Sequence, residues 1–178
     1  MAGRIAVVDL ADRFVRWEDR TVVHEQRLVH RSIHAFVVDG EGRLVLQRRH
    51  RAKQTHPGHW DLSCSGHVEE SDYPGGPDDE LDRVYREVAL RELEEELGVR
   101  VADLAPLGHW GPEPGVHYEQ LRLFLARSDG PFTPQAEEVE ALARVTRAEL
   151  ADLVAASREP VTPSLRWFAA TVPVPAWV

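Results

Sequence analysis

The sequence predicts a single mixed α/β domain over residues 1–178, and three observations carry that reading. Short apolar runs with strand-like spacing alternate with one long helical stripe. Asp39-Gly40-Glu41-Gly42 stands between two such runs as a hairpin turn. No repeat or low-complexity linker divides the chain, and its 43% hydrophobic content suffices for a sizeable core.

In order along the chain, Ile5 to Leu10 reads as a short strand closed by Ala11-Asp12. Thr21 to Leu28 fits either a short helix or an irregular segment. Ile33 to Val38 and Leu44 to Gln47 are the two arms of the hairpin. Arg48 to His59 is polar, basic and ends in Pro57-Gly58, so it reads as a loop. Trp60 to Val68 returns to a strand pattern, and Tyr73 to Pro77 is a loop by its breakers. Asp78 or Asp79 is placed to cap the helix that follows. Leu81, Tyr85, Ala89, Leu93 and Leu97 recur every fourth residue, with Val84 and Val88 widening the stripe. Gly98 sits where a left-handed stop belongs. Leu121 to Ala126 is a further strand and Arg147 to Ala156 a second helix. From Val161 onward the chain is punctuated by prolines.

The formal charge of −9 argues against sequence-independent binding to duplex nucleic acid, which needs a basic surface. No apolar run is long enough to span a membrane, and the early charges of the N-terminus do not suit a signal peptide. A lone cysteine excludes an internal disulfide and suits a reducing cytoplasm. An acidic protein working on phosphates must recruit cations, from metal ions or from a local basic patch.

Arg91-Glu92-Leu93-Glu94-Glu95-Glu96-Leu97-Gly98 is the stretch that points to chemistry. At about 100° per residue, Glu92, Glu95 and Glu96 share one wedge of the helix and Glu94 points elsewhere. Like charges at these spacings destabilise a helix unless a cation sits among them. Hard oxygen ligands in this pattern suit Mg²⁺ or Mn²⁺, and Arg91 can reach Glu95 at i+4 to orient it. Read alone, such a run is more often a solvated acidic face. Upstream, Arg48, Arg49 and Lys53 form a basic cluster suited to phosphate.

The run Arg-Glu-Leu-x-Glu-Glu-x-Gly-Val, preceded by Ser65-Gly66-His67-Val68-Glu69, resembles the Nudix box, and the likeness extends from about His24 to about Trp167. The resemblance implies an α/β/α sandwich with a mixed sheet. It further implies a pyrophosphohydrolase in which Glu92, Glu95 and Glu96 bind the metal, with the Ser65 carbonyl and His67 completing the site. Glu95 or Glu119 would take a proton from water, Arg91 would hold Glu95, and Arg48, Arg49 and Lys53 would hold the phosphates. The substrate would be a small nucleoside diphosphate derivative or another organic diphosphate; a homodimer stays open. The sequence departs from the usual box in one respect. Gly66 and Arg91 lie twenty-five positions apart instead of fourteen, through an insertion in Ser71 to Asp82. The first glutamate of the box is thereby displaced or absent: Asp72 stands in its place counting from Gly66, and Arg83 counting back from Arg91. The insertion is expected to form a surface lobe beside the pocket.

His30-Arg31-Ser32-Ile33-His34, Lys53, and Pro57-Gly58-His59-Trp60 through His67 resemble a narrower branch, that of isopentenyl diphosphate isomerase and its hydrolase relatives. In that branch a metal is held at places matching His24, His30, His67 and Glu119, with His117 replacing a second glutamate. The isomerases use a cysteine where this chain has Ser65, and they usually lose glutamates that this chain keeps. Both differences favour hydrolysis. Isomerase-like chemistry and a catalytically silent binding module are the alternatives.

Overall fold

The structure is a computed structural model and describes residues 3–156 and 159–172. Nine strands form one mixed sheet. Its centre is β3, His30–Val38, whose residues are all buried. β3 runs parallel to β8, Glu119–Arg127, in register from His30↔Glu119 to Val38↔Arg127. Its other neighbours are antiparallel: β6, Cys64–His67; β1, Arg4–Val8; and β4, Leu44–Arg49. Burial on both faces removes the in-out alternation that a half-exposed strand would show.

The hairpin is real but brief. β3 and β4 pair only at Val37↔Val45 and Val38↔Leu44, then splay. Ser63 fills the fork, accepting from the Val37 amide at 2.7 Å and donating to the Val45 carbonyl. That bridge is why the expected strand Trp60 to Val68 is two pieces, β5 (Trp60–Asp61) and β6, separated by Leu62-Ser63. β1 stops at Val8 rather than Leu10, because the Asp9 carboxylate takes the amides of Ala11 and Arg13 and turns the chain. The undecided segment contains α1, Arg20–Glu25, capped by Asp19 on the Thr21 amide at 2.8 Å.

Three strands and a helix are additions to the sequence reading. β2 (Phe14–Asp19) is a largely exposed edge with charges among its apolar residues. β7 (Leu104–Trp110) carries Pro106 and Gly108, which sit at a register shift against β8. β9 (Val139–Val145) pairs with β4. The proline-rich end holds α4, Pro163–Thr171, with its proline at the helix start and Thr162 accepting from the Leu165 amide.

The glutamate helix, α2, runs Leu81–Leu97. Val84, Tyr85, Val88, Ala89, Leu93 and Leu97 pack against Ile33, Ala35, Val37 and Phe124 on one face of the sheet. Gly98 ends it at φ 64°, its amide bonded back to Glu94. Any larger residue there would also meet the Thr133 carbonyl, a Cβ falling 2.6 Å from its oxygen. The expected Asp78 or Asp79 cap does not form. Glu80 precedes the helix in a left-handed conformation, Asp78 accepts from the Phe14 amide and Arg31, and Asp79 accepts from Gly76. The second expected helix is α3, Arg147–Ala155, which with α4 covers the opposite face over Phe36, Leu46, Leu121 and Leu123. The expected α/β/α sandwich is thus present. Among the described residues no helix is long and apolar enough to cross a membrane.

The insertion is not a free lobe. Fully buried Arg31 reaches from β3 into it, bonding Tyr73 Oη at 3.2 Å, the Pro77 carbonyl and Asp78 at 2.6 Å. The same guanidinium bonds Asp12 at 2.7 Å, so the β1–β2 turn and the insertion share one anchor.

Candidate active site

Alternation along β6 separates the candidate residues onto two faces. Cys64 and Gly66 look toward α2, and Ser65 and His67 look away from it. On the α2 side, Glu92 lies directly over Gly66. A Cβ at that position would fall 2.3 Å from the Glu92 carboxyl carbon, so the carboxylate keeps this position only over a glycine. Burial pushes the Glu92 pKa up to about 7, with Glu96 and Glu95 acting in the same direction against Arg91. Glu96 is buried and accepts from Gln47 Nε2 at 2.9 Å. Burial raises its pKa too, opposed by that bond, by Lys53 and by bonds from the Ser65 amide and the Cys64 thiol. Glu95 is the open member of the trio, 3.3 Å from Arg91.

Arg91 joins Glu92 at 3.0 Å, Glu95 at 3.3 Å and Asp72 at 3.2 Å. Asp72 is thus the upstream carboxylate that meets Arg91, held by its bond to the Glu69 amide in a single 3-10 turn, Glu70–Asp72. Of the basic cluster, Lys53 pairs with Glu138 and feels the charges of Glu96 and Glu92, while Arg49 is held by Asp61 at 3.2 Å and by Thr55. Arg48 is engaged elsewhere, on the Gly58 carbonyl and 6.0 Å above the Trp60 ring. Arg20, which the sequence reading passed over, is a cation felt by Glu92, His24 and His67.

The other face gathers histidines. The rings of His24, His30 and His67 lie 4.8–5.3 Å apart, and one nitrogen of each falls within 4.8 Å of the others. Among the described residues this is the one cluster of such side chains whose donor atoms converge so closely; the glutamates do not. Nε2 of His30 and of His67 is buried without a hydrogen-bond partner. Burial depresses the His67 pKa well below the usual histidine value, with His30 adding to it. Glu119 faces this group rather than the glutamates: it accepts from Ser32 Oγ at 2.8 Å and lies 3.5 Å from His34 and 3.8 Å from His30. Although burial opposes it, the His34 bond holds the Glu119 carboxyl well below its usual range. His117 and Trp167 border the same space, their rings 5.8 Å apart.

The NUDIX domain family model matches residues 28–167. The chain belongs to the Nudix family. It is 38% identical over 151 residues to an uncharacterized Nudix hydrolase of Pseudomonas aeruginosa, covering 84% of this chain and 82% of that one. It is 36% identical over 146 residues to the isopentenyl-diphosphate Delta-isomerase of Streptomyces avermitilis, covering 79% and 66% respectively. Protein DR0079 of Deinococcus radiodurans shares the fold, with a TM-score of 0.78 at 22% identity over 96% of this chain and 99% of that one.

Within this Nudix fold the lone cysteine is fully buried among the α2-side core residues, and burial drives its pKa well above the usual thiol value. Ser65, one residue on, stands beside His34 in the strand register. No spacing rule flags Gln47 or Arg20, whereas counting from Gly66 does single out Asp72. Each is a common residue type on its own, and only the packing gives it a partner.

Proposed function

We propose that this Nudix enzyme hydrolyses a diphosphate linkage in a nucleoside diphosphate derivative or other organic diphosphate, with Mg²⁺ or Mn²⁺. The observation that carries the reading is the seat built for Glu92. Gly66 makes room for its carboxylate, Arg91 grips it, and Glu95 and Glu96 stand beside it. Three carboxylates, one of them partly desolvated, fit a hard divalent ion, and Glu92, Glu95 and Glu96 would hold it with the Ser65 carbonyl. When bound, such an ion neutralises phosphate charge and makes water more acidic. Glu95, the exposed member, takes the proton from water, and Arg91 keeps it oriented. Arg49, Lys53 and Arg20 hold the phosphates. The Nε2 atoms of His30 and His67, buried without hydrogen bonds, fit a second ion, which His24, His30 and His67 would hold with Glu119 beside them.

That histidine group, like the name of the Streptomyces relative, supports a second reading as an isomerase of isopentenyl diphosphate. Against it, Cys64 is buried on the wrong face, and the serine at the matching position is a far weaker acid than a thiol. One experiment separates the readings. The full chain is incubated in deuterated water with isopentenyl diphosphate, and in parallel with a panel of nucleoside diphosphate derivatives, with Mg²⁺, Mn²⁺ or chelator. The hydrolase reading expects metal-dependent release of phosphate or nucleotide and no deuterium in the isoprenoid. Deuterium incorporation that disappears in Cys64→Ala would overturn it. Binding of the panel without turnover would leave a silent module.

A further inference from the structure

The N-terminal half of α2 borders a cavity of about 330 Å³ that neither the glutamates nor the histidines use. Its walls are apolar, with Leu104, Pro106 and Phe124 from β7 and β8. Two cations, Arg86 and Arg122, line it together with one carboxylate, Asp82. The volume falls in the range of small-molecule sites, which are typically apolar with a few placed polar groups.

Arg122 is prepared for an anion. Its guanidinium carbon sits over the Tyr85 ring, 4.2 Å from the centroid. Tyr85 is itself fully buried and bonded to the Gln120 carbonyl, so the guanidinium rests on a fixed ring. Its Nη1 pairs with Asp82, but its Nε is buried with no hydrogen-bond partner. A buried N–H donor without an acceptor is costly, so this guanidinium is left with hydrogen-bonding capacity that the fold does not use. Asp82, the competing anion, has a side chain 97% exposed and can swing into water. The Arg86 side chain makes no hydrogen bond or ion pair among the described residues.

We infer that this cavity binds a small organic acid, with its carboxylate or phosphate head on the Arg122 and Arg86 guanidinium groups and its apolar body against Leu104, Pro106 and Phe124. The planar fork of a guanidinium accommodates either head. The site is separate from the glutamates: Arg86 and Glu92 are six helical positions apart, about 9 Å along the axis.

Binding is tested on the full chain by ¹H–¹⁵N spectra that include the arginine Nε–H signals. The probes are benzoate, phenyl phosphate and, as a neutral match, benzamide. The inference expects saturable shifts of Arg122 Nε–H and of Leu104 to Phe124 amides with benzoate, phenyl phosphate or both, the stronger probe identifying the head. Benzamide should bind at least about tenfold more weakly, the loss of one charge-assisted contact. Arg86→Gln, at an exposed position, should keep the melting temperature and weaken the anionic probe about tenfold; Arg122→Lys tests the fork itself and should lose more. Equal affinity for benzamide, undiminished binding in Arg86→Gln, or shifts confined to the histidine and glutamate residues would overturn it.

Discussion

Arg31 and His30 are neighbours on β3, yet the two faces of the sheet treat their side chains in opposite ways. Around Arg31 and Arg91, on the α2 face, the protein completes its own charges. Arg31 has Asp12, Asp78, Tyr73 and the Pro77 carbonyl, and Arg91 has Asp72, Glu92 and Glu95. On the α4 face nitrogens of His30, His34, His67 and His117 are buried with no hydrogen-bond partner. A buried group that finds its partner within the chain holds the fold together. One left without a partner is costly by itself, and its retention points to something that arrives from outside.

The largest expected effect tests the self-completed network. Arg31→Met leaves Asp12 and Asp78 without their cation and should cost about 3–5 kcal/mol in urea unfolding. Shortening the insertion should destabilise for the same reason, since it removes Tyr73, Pro77 and Asp78. A loss below about 1 kcal/mol, the size of a surface pair, would mean that Arg31 is not an anchor.

Next comes pH. Glu92 titrates at about 7 in the fold against an ordinary 4.5. Between these values the metal-free folded state keeps a proton that the unfolded chain has released. Stability should therefore fall as pH rises through that window, by up to about 3 kcal/mol, and stay lower above it. Glu92→Gln should flatten this part of the profile. Thermal unfolding of both proteins from about pH 5 to about pH 8 is the measurement; parallel profiles would show that Glu92 is not held in a destabilising site.

Catalysis should respond more sharply to the α2 face. Glu95→Gln is expected to lower turnover about a hundredfold or more while the melting temperature stays put. Wild-type turnover in the folded variant would reduce the trio to a solvated surface.

The smallest effect separates the faces directly. In a Mn²⁺ titration, His67→Asn should weaken one class of site about tenfold or more, and Glu95→Gln should leave that class intact. If both variants weaken the same sites equally, the two faces share one ion.

The sequence by itself determined α2, its stop at Gly98, the wedge of Glu92, Glu95 and Glu96, and the family to which they belong. The helix and its glutamate face are written in local periodicity, where 3.6 residues per turn convert spacing directly into a face, while the family is legible through the resemblance of the motif. It also marked Gly66 and the missing upstream glutamate, without showing that Asp72 turns back onto Arg91. Tertiary structure decided the rest. β7 and β9 escaped notice because β7 carries breakers at a register shift and β9 is largely half-exposed, pairing with a strand far along the chain. The histidine group, Gln47 on Glu96 and Arg31 in the insertion depend on contacts between distant segments. The parallel register of β3 with β8 sets Glu119 beside His30, and the antiparallel register with β6 sets His67 beside Ser32. Strand pairing, unlike helical pitch, is chosen by how whole faces bury together, so no short stretch of sequence contains it.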